Sequence, residues 1–362
     1  MDCEQHFCVQ RKELVQKCLN YLTGDSEKEG HYFTIWGARQ TGKTWLVRKI
    51  GKLIKAIYGE TFITAYWSMQ GVVMESDARD EDFFARVPRL FLDGFDMEIP
   101  CPRTWDDFTS LFHEKKSPFA KPVILMIDEF DSLPGTVIDR LVSLFRDIYL
   151  KRKNYLLHGL ALVGVRAVLG SESERGSPFN IQRSLHVPNL TPDEVREMFG
   201  QYQQESGQEI EAAVTDKIYE VTRGQPGLVS WFGELLTETF NPGKEHTLCM
   251  KDWEKTYRRA CTTEWNNTVL NLIKKAKGEY RTHVSELFGR SDILFTIWAD
   301  WCNYLYLNGI IDYETSTDAI GREIQVCRFS SPFIQYVIYE SLTYDLIGDR
   351  SPISALDPDR FA

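Results

Sequence analysis

Tyr32-Phe33-Thr34-Ile35-Trp36-Gly37-Ala38-Arg39-Gln40-Thr41-Gly42-Lys43-Thr44-Trp45 is the stretch whose reading decides the fold. Tyr32 to Trp36 is a short β-rich run. Gly37 to Thr44 then fits G-x-x-x-x-G-K-[ST] in full. From Trp45 onward the apolar positions Leu46, Val47, Ile50, Leu53 and Ile54 return at helical spacing. The order is strand, glycine loop, helix. Glycines allow the backbone to approach closely, so successive N–H groups point at phosphate oxygens where a helix begins. The nucleotide-binding set expected from this stretch is Gly37, Ala38, Arg39, Gln40, Thr41, Gly42, Lys43, Thr44 and Trp45. Lys43 would reach the β- and γ-phosphates, and Thr44 would hold Mg²⁺.

The second informative stretch is Val123-Ile124-Leu125-Met126-Ile127, an unbroken apolar run that ends in Asp128 and Glu129. Such a run fits a parallel strand buried on both faces. Asp128 is expected in the magnesium shell. Glu129, one residue on, is the expected catalytic acid that polarises an attacking water. Asp131 reads as a structural carboxylate or a helix cap. A helix at about Val137 to Leu156 precedes a fourth strand, Leu160 to Val165, which delivers Arg166 beside the γ-phosphate as a sensor, with a solvated surface arginine as the alternative. Arg175 and Arg183 flank Ser177-Pro178-Phe179-Asn180 and read either as fingers toward a neighbouring subunit or as plain surface residues.

Working outward, Arg11 to Leu22 carries Leu14, Val15, Cys18, Leu19 and Leu22 at helical spacing. A second strand is expected at Phe62 to Trp67 and an amphipathic helix around Phe83 to Leu92. Strands alternating with helices give a doubly wound parallel α/β sheet of the P-loop type over residues 1–188. Beyond Pro188 the pattern is helical. Thr191-Pro192-Asp193-Glu194 is a capping box with proline at the first helical position. One helix ends near Arg223-Gly224, and Pro226 opens the next. Residues 189–245 are therefore expected to form a helical lid. Residues 246–345 read as helices around two strands, Ile310 to Tyr313 and Ile324 to Phe329, a winged-helix-like order, with 346–362 as a tail.

The chain has 362 residues and a formal net charge of −10, which opposes a protein whose main task is to coat nucleic acid. From Glu245 to Asp345 eleven Lys and Arg face fourteen Asp and Glu, with Lys274, Lys275, Lys277 and Arg281 as the single basic cluster. The eight cysteines include no C-x-x-C pair and read as reduced thiols. The N-terminus lacks the basic and apolar regions of a leader, and no apolar run is long enough to span a bilayer. The expectation is a cytoplasmic protein with no membrane partner.

Taken together, these residues resemble the STAND and archaeal-ATPase branch of the AAA+ superfamily. The resemblance runs from about Cys8 to Phe240. Cys8-Val9-Gln10-Arg11-Lys12-Glu13 looks like that family's hydrophobic and R-x-E element, with Gln10 where a glycine is usual. The phosphate loop, the strand ending in Asp128-Glu129, the arginine after the fourth strand and the turn Gly224-Gln225-Pro226-Gly227 follow in the family's order. Ser177-Pro178-Phe179-Asn180-Ile181, followed by Leu190 to Val195, is similar to bacterial AAA-like domain proteins. The resemblance implies that Arg11 and Pro226 border the adenine of ATP or ADP and that Arg166 occupies the sensor position. It also implies a switch in which exchange of ADP for ATP frees the lid and winged helix for assembly. Family members often carry an effector, sometimes a nuclease, beyond the winged helix. None is visible before Ala362, so the expected partners are further copies of the chain and a protein effector in cis or in trans. The competing expectation is a DNA-binding initiator or transposition-type loader that uses the winged helix. A non-hydrolysing protein with a fossil loop conflicts with the intact Lys43, Thr44, Asp128 and Glu129.

Overall fold

Alternation along the strands dictates the layers. In the strand Val123–Asp128, the side chains of Val123, Leu125 and Ile127 enter one apolar cluster, and those of Ile124 and Met126 enter another on the opposite face. Every residue of this strand is buried, as its unbroken apolar run requires. The computed structural model describes residues 7, 9–24, 30–72, 74, 79–164 and 183–347.

Five parallel strands form the main sheet: β1 (Tyr32–Trp36), β2 (Ile63–Ser68), β3 (Val123–Asp128), β4 (Leu157–Gly164) and β5 (Arg183–His186). Their order is β2-β3-β4-β1-β5. The glycine-loop strand and the acid strand are thus separated by β4. One face of the sheet packs helices Asp80–Phe84, Val87–Phe95, Trp105–Ser110 and Gly135–Leu150 through Phe83, Phe91, Phe108 and Phe145. The other packs Lys12–Thr23 and Lys43–Tyr58 through Leu19, Leu46 and Ile50. With helices on both faces, the sheet is doubly wound.

Several boundaries differ from the sequence reading. The single helix expected around Phe83 to Leu92 is two, because Pro88 lies in the first turn of Val87–Phe95 and has no N–H to continue an earlier helix. The helix expected to reach Leu156 stops at Leu150. A short turn, Arg152–Asn154, then leads into β4, which starts three residues before the expected Leu160. The helix Trp105–Ser110 and strand β5 were not anticipated.

Among the described residues, those within Arg11–Gly37 and Gly42–Val187 form one compact unit, and those within Met1–Gln10, Ala38–Thr41 and Pro188–Ala362 form the other. The second unit runs through helices Pro192–Ser206, Ala212–Thr222, Pro226–Glu234, Met250–Thr262, Asn267–Ala276, Arg281–Glu286 and Asp300–Leu307. An antiparallel hairpin, β6 (Ile311–Thr317) with β7 (Glu323–Phe329), and the helix Pro332–Ile347 complete it. Thr191 caps the first of these helices as expected: its Oγ1 accepts from Glu194 N–H at 3.2 Å, and the Glu194 carboxylate accepts from Thr191 N–H at 2.8 Å. One core fills the unit, with Phe199, Ile218 and Phe232 continuous with Trp253, Leu305 and Phe333. The Phe232 and Phe333 rings meet edge to face at 5.1 Å.

Candidate functional site

The chain leaves β1 at Trp36, turns through the glycine loop and enters the helix Lys43–Tyr58. Gly42 stands before that helix at φ 91°, in the left-handed region that favours glycine. No side chain caps the helix and no acid occupies its first turn. Its leading N–H groups and positive dipole end are therefore not met by a capping side chain, the condition under which a helix start receives an anion. Lys43 is only 8% exposed, and its Nζ arches back to donate to the Gly37 carbonyl at 2.9 Å. Thr41 Oγ1 donates to the Ala38 carbonyl at 3.0 Å and closes the loop. Gln40 also has a left-handed backbone, φ 59°. Trp45 follows in the first turn of the helix, with Lys49 Nζ 4.8 Å from its ring centroid.

Asp128, at the end of β3, is 2% exposed. A carboxylate this buried needs partners for its oxygens, and it has three. Oδ2 accepts from Thr44 Oγ1 at 2.6 Å and from the Tyr66 hydroxyl at 2.8 Å, and Oδ1 accepts from the Glu129 N–H at 3.0 Å. Because Thr44 gives its proton to Asp128, its oxygen keeps lone pairs for a cation. A hydroxyl and a carboxylate side by side are the hard oxygen donors that Mg²⁺ takes. The donor chemistry present therefore fits magnesium. Glu129 has φ 53°, a left-handed backbone that costs a non-glycine residue energy and that collects at functional sites. Asp131 packs against the end of β4: a Cβ added at Gly164 would fall 2.7 Å from its Oδ1.

Tyr66 was not anticipated. Burial, followed by the charge and hydrogen bond of Asp128, pushes its hydroxyl up to about 12, so it stays a donor at neutral pH. The Arg48 guanidinium sits 5.2 Å from its ring centroid. The only sequence signal was indirect, a tyrosine within the strand expected at Phe62 to Trp67, with nothing to say which strand lies beside it.

A further group converges near the loop. Arg11 precedes the helix Lys12–Thr23 with a left-handed φ of 44°. His186, at the end of β5, packs its ring 4.3 Å from that of Trp36, the last residue of β1, the two planes tilted by 31°. Burial, and then the charges of Arg11 and Lys43, hold this imidazole below its ordinary range. Arg11 and Lys43 thus act on one side chain. The low pKa of His186 was also illegible in the sequence, because β5 was not expected. In the second unit Pro226 opens the helix Pro226–Glu234. Gln225 caps that helix by accepting from Leu228 N–H, and its Nε2 donates to the Arg39 carbonyl at 3.0 Å. Arg183 is described on β5, its guanidinium 4.8 Å from the Tyr21 ring. The sensor candidate Arg166, together with Arg175 and Ser177 to Ile181, lies outside the described residues.

No protein-family model matches this chain, and no curated protein matches it in sequence. Solved structures do. The Walker-type ATPase of Pyrococcus abyssi is 15% identical with a TM-score of 0.56, the likeness covering 92% of this chain and 96% of that one. Cdc6p of Pyrobaculum aerophilum is 14% identical at a TM-score of 0.49, covering 96% and 99%. The RuvB Holliday junction branch migration motor of Thermotoga maritima is 15% identical at 0.48, covering 95% and 96%. At 15% identity the likeness to the Pyrococcus protein is one of fold. In its sheet order, its glycine loop and its match to the Pyrococcus protein, the chain has the fold of a Walker-type P-loop ATPase.

Proposed function

We propose that this chain binds and hydrolyses ATP as a regulatory switch of the STAND/AAA+ type, its nucleotide state governing self-association or an effector protein. The observation that carries the reading is the buried Asp128 carboxylate joined to the Thr44 hydroxyl at 2.6 Å, one residue from Lys43. In this reading Lys43 exchanges the Gly37 carbonyl for the β- and γ-phosphates, a charged acceptor in place of a neutral one and hence a stronger bond. The N–H groups of Gly37 to Thr44 cradle the phosphates, with Trp45 in the following turn. Thr44 and Asp128 hold Mg²⁺, which when bound offsets the charge that develops on the phosphates during transfer. Glu129 orients and polarises the attacking water. Arg166 reads the γ-phosphate, and Arg11 and Pro226 border the adenine.

We assign residues 1–188 to nucleotide binding, 189–245 to a lid, 246–345 to a winged-helix-like domain and 346–362 to a tail. The protein is assigned to the cytoplasm, and no helix among the described residues is long and apolar enough to cross a membrane. The effector acts in cis or in trans, a nuclease being one class. The DNA-loader reading is the weaker one. Within the basic cluster Lys275 donates to Asn308 Oδ1, and Lys277 pairs with Asp345 at 3.0 Å, so two of its four cations already have partners.

The test is light scattering coupled to size-exclusion chromatography on wild type and Glu129→Gln, each with ADP and with ATP, alongside phosphate release. Glu129→Gln is expected to bind ATP, to stop releasing phosphate and to shift to a larger species. Wild type that neither releases phosphate nor changes size in any state would remove the basis of the switch.

A further inference from the structure

The geometry points to Tyr66 as a positioning residue that sets the metal affinity of the nucleotide complex by holding the same Asp128 oxygen that accepts from Thr44. The inference rests on the nucleotide-binding reading above. It concerns a residue outside both sequence motifs, on a strand those motifs do not include.

Strand pairing supplies the first step. β2 lies beside β3 in parallel register, with Tyr66 opposite Met126 and Ser68 opposite Asp128. Along β2, Ala65 and Trp67 enter the cluster on one face, while Tyr66 packs with the cluster on the other, which contains Leu46 and Val47 of the helix Lys43–Tyr58. That face carries the ring toward the helix that bears Thr44 and Arg48. Side-chain length does the rest. The hydroxyl extends past one strand position and meets Asp128 Oδ2 at 2.8 Å.

Saturation of the carboxylate supplies the second step. Oδ1 is held by the Glu129 N–H, and Oδ2 by two hydroxyls. Thr44 must keep its proton on Oδ2 if its lone pairs are to face a metal. Tyr66, the second donor on that oxygen, holds the carboxylate so that the Thr44 bond persists. Its own ring is held beneath the Arg48 guanidinium, whose backbone lies one helical turn beyond Thr44. The chain of support runs from Arg48 to Tyr66 to Asp128 to Thr44. Partners of this kind, which orient metal ligands without touching the metal, typically change affinity by roughly 10- to 100-fold when removed.

The experiment titrates Mn²⁺ into the full chain with ADP present and reads free Mn²⁺ by electron paramagnetic resonance, beside ADP affinity measured in EDTA. Tyr66→Phe removes the hydroxyl and keeps the ring. It is expected to raise the Mn²⁺ dissociation constant roughly tenfold while ADP affinity in EDTA stays within about twofold, since loop and lysine are untouched. Thr64→Val, on the same strand and nearly isosteric, serves as the control and should match wild type. Its Oγ1 is buried without a hydrogen-bond partner among the described residues. An unchanged Mn²⁺ constant in Tyr66→Phe overturns the inference, as does an equal loss of ADP affinity in EDTA, which would mark a general structural role. If Tyr66→Phe does not fold, Arg48→Met reads the same support one step back. It is expected to weaken Mn²⁺ in the same direction, and no change there also overturns the inference. Wild type that binds no ADP under either condition defeats the nucleotide reading itself, a result distinct from the others.

Discussion

Gly42→Ala isolates the backbone requirement of the phosphate loop from its space requirement. Gly42 stands at φ 91°, yet a Cβ built there meets nothing within 4 Å. The cost of alanine is therefore conformational, about 1–2 kcal/mol for an L-residue held in the left-handed region. Gly135, the first residue of the helix Gly135–Leu150, is the matched control in the same unit. A Cβ there also meets nothing within 4 Å, and its φ is not positive. Alanine at Gly135 narrows the unfolded ensemble without strain and should stabilise by about 0.4–1 kcal/mol. The two variants should thus differ by about 1.5–3 kcal/mol in opposite directions from wild type. Because the chain contains two compact units, a single melting temperature would mix them. Native-state hydrogen exchange at the amides of β3 and β4, without nucleotide, reads the relevant unit alone. Those amides should exchange roughly 10- to 100-fold faster in Gly42→Ala than in Gly135→Ala. Equal shifts in the two variants, or protection in Gly42→Ala at the Gly135→Ala level, would refute the claim that the loop demands a left-handed residue at this position.

Two other outcomes are expected. His186 is held below its ordinary range by burial and by the charges of Arg11 and Lys43, so a polyphosphate that offsets those charges should raise its pKa. Proton uptake on ADP binding should then appear in calorimetry across buffers of different ionisation enthalpy near pH 6.5, and should vanish in His186→Phe. In the free protein the unfolded chain binds the His186 proton more readily than the folded one, so this contribution to stability is complete above the unfolded pKa and declines as pH falls through it. Thr191→Ala removes the hydroxyl that accepts from Glu194 N–H and should destabilise by about 1 kcal/mol, read as faster exchange in the first turns of Pro192–Ser206 with the β3 amides unchanged.

The legible parts of the fold were those in which one short segment carries its own physical constraint. The apolar run into Asp128 could only be a strand buried on both faces, and Thr191 to Glu194 contains both halves of its own cap. β5 was illegible for the opposite reason. Arg183 and Ser184 are exposed, His186 is partly exposed with its ring against Trp36, and only Leu185 is fully buried, so a polar edge strand is held by pairing with β1 and shows no hydrophobic pattern. The first hairpin strand was cut short in the reading because its outer part, Glu314 to Thr317, continues the backbone ladder with largely exposed polar side chains, whereas the second was read to within one residue of Glu323–Phe329. Within the site, the loop and the acid pair could be read because fixed spacing carries their chemistry. The partners of Asp128 across the sheet could not, since the approach of Tyr66 depends on which strand lies beside which, a property of topology that no local window contains.

The strand order also constrains the route by which this chain folds. β1 carries the residues that lead into the phosphate loop, yet both its sheet partners come much later in the chain: Tyr32 aligns with Leu160, and Phe33 with Arg183. The Tyr32 hydroxyl donates to the Leu157 carbonyl, 125 residues away. During synthesis β1 therefore emerges early and stays unpaired until β4 has left the ribosome, and pairings this distant are slow because loop closure precedes their reward. An apolar strand left waiting is exposed to aggregation over that interval. The nascent chain should therefore depend on chaperones most while the segment between β1 and β4 is being made, and synonymous changes that slow translation there should lower soluble yield without altering the mature protein.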